Sequence, residues 1–160
     1  KDWIMNEKAF QDYYEEDVSY CYGCGRLNDD GLHIRSFWDG EESIARLIPK
    51  PYHMSAPGFV YGGLLASFVD CHGTGTAAAA MYRHQGRAMD TEPKLRFVTA
   101  SLKVDYLRPT PLDVELVAKG RVKSISKRKV VVSIEISAND IVCVRGEVVA
   151  VLMPGAMKMK

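Results

Sequence analysis

Between Ala56 and Tyr82 the chain carries one acid, Asp70, and no lysine or arginine. A run this apolar must leave water, either in a membrane or in a protein core. Gly58, Gly62, Gly63, Gly73 and Gly75, a carboxylate in mid-stretch and the lack of a second such run argue against a span, because a charge at bilayer depth is costly. The run reads instead as one long buried helix from about Gly62 to Arg83, apolar nearly all round.

The rest of the chain has to supply what covers that helix. Leu32 to Trp38 and Ser43 to Ile48 read as a strand pair turned at 39–41. Ser101 to Arg108 alternates, with Leu102, Val104 and Tyr106 on one face, until Pro109 and Pro111 break it. Val114, Leu116, Ala118, Gly120 and Val122 alternate against Glu115, Lys119, Arg121 and Lys123. Val130 to Ile136 and Val142 to Leu152 complete the set, with Asn139-Asp140 as a turn. The fold class is α+β: a curved antiparallel sheet wrapped round a single long helix. One helix this apolar would stay partly exposed in a monomer, so the chain is expected to form a homo-oligomer. The expected organisation is an N-terminal helix and Cys-containing turn segment over 1–30, one folded domain over 31–153, and a short tail over 154–160.

Along the helix, Ala66, Asp70, Gly73, Thr74 and Ala77 share a face at i, i+3 and i+4 spacing. It is a small-residue face with a carboxylate and a hydroxyl, set against a greasier side of Leu64, Phe68, Cys71 and Ala78. Asp70 is either a satisfied buried acid, bonded to Thr74 or to a strand, or a working carboxylate; an unpaired one would be expensive. Gly62-Gly63 opens the helix with free backbone N–H groups able to hold an oxyanion. Eight residues of helix, about 12 Å, separate Gly62 from Asp70. One chain therefore does not bring both to one carbonyl, whereas two-fold pairing brings Asp70 of one protomer to Gly62 of the other.

The segments PGFVYGGLLASFVDCHGTGTA and SLKVDYLRPTPLDVELVAKGRV resemble the motif regions of hotdog-fold acyl-CoA thioesterases, especially the phenylacetate-pathway type, over about residues 31–153. The resemblance implies a hotdog fold, a dimer or tetramer with active sites at the dimer interface, and hydrolysis of an acyl-CoA to the free acid and CoA. It implies that Gly62 supplies the oxyanion N–H, with Gly63 as the motif's second glycine, that Asp70 is general base or nucleophile, and that Thr74 orients the carboxylate or the water. Two positions depart from the pattern: Tyr61 stands where the motif has His, and Ser55 where a larger amide is usual. Both, with Arg108 and Arg83 as candidates for the CoA phosphates, are expected on the substrate side. The departures leave open non-catalytic binding of acyl-CoA, and a hotdog-type dehydratase or hydratase is a third reading. No cofactor is implied.

The remaining signals are weaker. Cys21 and Cys24 have knuckle-like spacing, but Cys71 in the helix and Cys143 in a late strand form no second pair, which leaves His33 or His53 to complete a site. A tight turn with no stoichiometric zinc is therefore expected. His72 lies two residues from Asp70 and does not share its face; it reads as a satisfied helix histidine. Lys127-Arg128-Lys129 reads as a solvated turn. Lysine plus arginine total 21 against 20 acids, a formal net charge of +1, which excludes a basic nucleic-acid binder as the default. Lys1 to Asp17 lacks the apolar core of a signal peptide, so a cytoplasmic protein is expected.

Overall fold

The computed structural model describes residues 7–153. The expected tail, 154–160, and residues 1–6 of the expected N-terminal segment lie outside the described residues. Six strands form one antiparallel sheet: β1 (Ser36–Asp39), β2 (Glu42–Leu47), β3 (Phe97–Tyr106), β4 (Leu116–Ile125), β5 (Lys129–Ala138) and β6 (Ile141–Leu152). Their order in space is β1-β2-β4-β5-β6-β3. The helix α1 (Gly62–His84) lies across the concave face, packed mainly on β5, β6, β3 and β4.

The alternation read from the sequence is what makes this possible. Leu116 and Ala118 of β4, Val130, Val132, Ile134 and Ile136 of β5, and Val144, Val148 and Ala150 of β6 are all fully buried. They face Leu64, Leu65, Phe68 and Val69 of the helix, as period-2 strands with one covered face require. Burying Phe68 completely stabilises the fold by about 1.5–3 kcal/mol relative to leaving it exposed. The helix can lie this close because its sheet-facing positions are small. A Cβ on Gly73 would meet Val148 Cγ2 at 2.4 Å. At the far end Gly86, with φ +66°, stops the helix in a left-handed conformation, and the amides of Gly86 and Arg87 return to the carbonyls of Arg83 and Tyr82. Asn139 and Asp140, both at positive φ, make the two-residue turn between β5 and β6.

Two expected elements are shorter. The N-terminal helix is two 3-10 turns, Phe10–Tyr13 and Glu16–Val18. Asp12 accepts the Ala9 N–H at 2.8 Å and closes the first turn, Tyr14 is extended, and Gln11 spends its amide on Ser36. The first strand starts at Ser36 rather than Leu32. The amides of Leu32 and Ile34 donate instead to the carbonyls of Tyr22 and Gly23, and His33 sits at φ +52°. Residues 32–34 thus tie the cysteine turn down before the chain enters the sheet.

One polar network crosses the core. Buried His72 bonds through Nδ1 to Ser36 Oγ at 2.8 Å and through Nε2 to Ser43 Oγ at 3.0 Å. Ser43 in turn meets Thr76 Oγ1 at 2.6 Å. Every ring nitrogen is satisfied, and burial pushes the His72 pKa down to about 4. No helix among the described residues is long and apolar enough to cross a membrane.

Candidate active site

Asp70 projects from the middle of α1 toward β3. Its Oδ1 accepts a hydrogen bond from Thr99 Oγ1 at 2.5 Å. Thr99 has then spent its only proton, so the 2.8 Å contact between Thr74 and Thr99 hydroxyls runs from Thr74 to Thr99. The result is a relay, Thr74 to Thr99 to Asp70, in which Thr74 reaches the carboxylate only through Thr99. Asp70 Oδ2 has no hydrogen-bond partner among the described residues. Thr99 stands at the β-bulge where the β3–β6 register shifts between Thr99 and Ser101. A bulge re-aims side chains locally, and here it sits beside the helix carboxylate.

Asp70, Cys71, Thr74, Ala78 and Tyr82 of the helix line a cavity of about 290 Å³ together with Phe97 and Thr99 of β3 and Tyr14. This redraws the helix faces read from the sequence. Gly73 and Ala77, grouped there with Asp70, are buried in the core, Gly73 against Val148, while Cys71 and Ala78, assigned to the opposite side, share the cavity with Asp70. A face defined by three- and four-residue spacing is about 100° wide; the sheet covers its centre and leaves one margin open.

Gly62 and Gly63 open the helix, and their amides donate to no acceptor among the described residues, as first-turn N–H groups do. The Gly62 carbonyl accepts from Tyr106 Oη at 2.7 Å, which pins the end of β3 to the helix start. The Tyr61 ring lies over Gly63, where a Cβ would meet it at 2.3 Å. Tyr61 and Tyr106 are each about half exposed. Gly62 and Gly63 do not line the cavity beside Asp70.

The other candidates are dispersed. Ser55 is exposed in the loop before the helix, its amide donating to the Phe59 carbonyl. Arg108 is exposed just past β3. Arg83 stacks on Trp38 with its guanidinium carbon 3.7 Å from the ring centroid and donates to the Gly40 carbonyl, so it stands at the β1–β2 turn rather than at the Asp70 cavity. Sequence reasoning missed Thr99: it lies in the first residues of β3, ahead of the alternation that marked the strand, and only the bulge brings it to Asp70.

The cysteines depart most from expectation. Cys71 does join Cys21 and Cys24: the three sulfurs lie within 4.8 Å of one another, Cys21 Sγ 3.8 Å from Cys71 Sγ. The reading that Cys71 forms no further pair is corrected, because the turn packs on the helix at this very residue. Neither His53 nor His33 takes part: His53 accepts the Lys50 N–H and His33 bonds the Asn28 carbonyl. Hydrogen bonds from the Cys24 and Cys71 thiols hold Cys21 far below an ordinary thiol, at about 2. Donating to Cys21 pushes Cys24 up to about 12 and Cys71 up as well.

A single helix gripped by a curved antiparallel sheet, with a carboxylate at mid-helix beside an apolar cavity, is a hotdog-fold domain. The family model described as "Thioesterase superfamily" matches residues 57–150, and the chain belongs to that superfamily. A thioesterase superfamily protein from Shewanella loihica is 48% identical with a TM-score of 0.67, the match covering 88% of this chain and all of that one. The Escherichia coli PaaI protein from the phenylacetic acid degradation operon shares the fold at 18% identity and TM-score 0.62, over 78% of this chain and 82% of that one. Among curated proteins, the acyl-coenzyme A thioesterase THEM4 of Xenopus laevis is 32% identical over 71% of this chain and 47% of its own length. Mouse THEM4 is 33% identical over 79% of this chain and 50% of its own length. The chain thus spans about half the length of the curated relatives it matches.

Proposed function

We propose that the chain hydrolyses an acyl-CoA thioester to a carboxylic acid and free CoA, as a homodimer or an assembly of dimers in which facing protomers share each site. The observation that carries this reading is Asp70: the one acid of helix α1, held by Thr99 on one oxygen, with the other oxygen free beside an apolar cavity. A carboxylate in that setting takes a proton from water as the water attacks the thioester carbon, or attacks that carbon itself. The oxyanion that forms needs preorganised N–H donors, and the Gly62 amide of the facing protomer supplies one. In the general-base route, collapse of the tetrahedral intermediate breaks the C–S bond and the proton held by Asp70 goes to the departing thiolate. In the nucleophilic route the thiolate leaves an Asp70 acyl anhydride, which water then cleaves to the acid and free Asp70, its released proton balancing the thiolate. Water and thioester in, acid and thiol out, balances.

Two features support the shared site. Gly62 stands about 12 Å along the helix from Asp70, outside the cavity that Asp70 lines. β3 is a ten-residue edge strand with mostly exposed side chains, and Leu102, Tyr106, Phe59 and Tyr61 are exposed apolar groups. Long unpaired edges invite pairing with another copy. In that arrangement Tyr61 and Gly63 border the thioester, Ser55 lies at the rim, and exposed Arg108 meets the CoA phosphates.

The test is thiol release from a panel of acyl-CoA substrates of graded size. Tight binding without release would make the chain a thioester-binding protein. Hydration of an enoyl-CoA without thiol release would make it a hydratase; against that reading, the cavity beside Asp70 is lined by no histidine among the described residues.

A further inference from the structure

We propose that Cys21, Cys24 and Cys71 bind one zinc ion as three thiolates, with the fourth coordination position open to the cavity that Asp70 and Thr74 line. Nothing in thioester hydrolysis calls for three converging sulfurs, yet the fold assembles them from a loop and a helix some fifty residues apart in sequence. The spacing suits the metal. With Zn–S bonds of about 2.3 Å and tetrahedral angles, neighbouring sulfurs fall about 3.8 Å apart, and Cys21 and Cys71 lie at 3.8 Å.

The turn that presents the first two sulfurs is built for close approach. The Gly25 amide closes the loop on the Cys21 carbonyl at 2.7 Å. Any side chain at 23 would place a Cβ 2.3 Å from Cys71 Sγ, and any at 25 would place one 2.4 Å from the Cys21 nitrogen. The Leu32 and Ile34 amides anchor the turn from the other side. A disulfide would use two of the sulfurs and strand the third, whereas a soft divalent ion uses all three.

Binding exchanges protons for metal: each of the three cysteines enters as a thiolate, so thiol protons are released to solvent as Zn–S bonds form, and affinity rises with pH. The ion would fasten the 21–24 turn to the residue next to Asp70, forming one wall of the cavity. All three cysteines are among the residues that line that cavity, and an open fourth position there gives the pattern of a zinc site with an exchangeable ligand.

The test uses the full chain purified without chelators. Elemental analysis is expected to find one zinc per chain. After removal of zinc under reducing conditions, Co²⁺ is expected to bind one to one and produce thiolate-to-cobalt charge-transfer absorption with intense tetrahedral d–d bands. Cys21→Ser, Cys24→Ser and Cys71→Ser should each weaken Co²⁺ binding by more than the roughly 10- to 100-fold typical of losing an outer-shell partner, and Cys143→Ser should leave it unchanged. Should a serine variant fail to fold, the wild-type titration still decides. Folded, reduced wild type that holds no zinc and gives no thiolate charge-transfer band with Co²⁺ overturns the proposal, as does full affinity in folded Cys71→Ser. Metal content and thiol release are read separately, so failure of either leaves the other standing.

Discussion

Thr99→Val offers a graded test of how the carboxylate is held. Valine keeps the shape and removes the hydroxyl that donates to Asp70 Oδ1 at 2.5 Å. A hydrogen bond to a charged group contributes about 1.5–3 kcal/mol. Thr99 is exposed in the single chain, so the lower end applies, and kcat should fall about 10- to 30-fold at 1.36 kcal/mol per decade. Thr74 acts one link further away, through a neutral bond of about 0.5–1.5 kcal/mol. Because Thr74 acts only through Thr99, Thr74→Val should fall in the lower part of that range, about 0.5–1 kcal/mol or about 2- to 5-fold, and the double variant should match Thr99→Val alone, as coupled positions do. Because both residues position Asp70, the loss should appear in kcat with KM nearly unchanged, and neither substitution should matter in an Asp70→Asn background. The assay is thiol release at saturating substrate, with sedimentation confirming the assembly. A larger loss for Thr74→Val than for Thr99→Val, or a Thr99→Val enzyme within twofold of wild type, refutes the relay.

Other outcomes follow from the same structure. His72 is buried with its pKa pushed down to about 4, below its unfolded value near 6.5. The unfolded chain thus binds the extra proton first, and stability should fall as pH drops from about 6.5 to 4, by at most about 1.4 kcal/mol per unit from this group; urea midpoints across that range measure it, and His72→Gln should flatten the slope. Gly73→Ala would gain about 1 kcal/mol of helix propensity in an open site, but its Cβ would meet stiff Val148 at 2.4 Å, so a net destabilisation of about 1–2 kcal/mol is expected from overpacking, read as a lowered urea midpoint. Sedimentation at micromolar concentration should show a dimer or larger; an active 17.8 kDa monomer would defeat the shared site.

The architecture was legible because the strands keep a clean two-residue period and the helix is one apolar run. An unbroken apolar run with one acid can only be a buried helix here, and strands such as Val130 to Ile136 alternate without interruption. The resemblance carried by the Gly62 to Thr74 region supplied the reaction, which periodicity alone does not contain. What stayed hidden depends on tertiary placement. Thr99 reaches Asp70 through a bulge, and a one-residue register shift leaves no mark in the pattern. Cys71 looked like a core residue because its partners are some fifty positions away, on a turn that had no evident reason to land on the helix. Gly23, which reads as an ordinary turn glycine, is what allows it to land there. The N-terminal helix expected within 1–30 does not propagate, because Asp12 and Gln11 use their side chains to close turns and bind Ser36.

The central claim rests on one carboxylate, and Asp70→Asn tests it most directly. Asparagine is nearly the same size and can still accept from Thr99, so fold and assembly should survive, but it takes no proton from water and makes no anionic nucleophile. With general-base contributions of about 100- to 10,000-fold, thiol release from the best acyl-CoA substrate should drop by at least about 100-fold with binding retained. A folded, correctly assembled Asp70→Asn protein turning over at close to the wild-type rate would contradict the account.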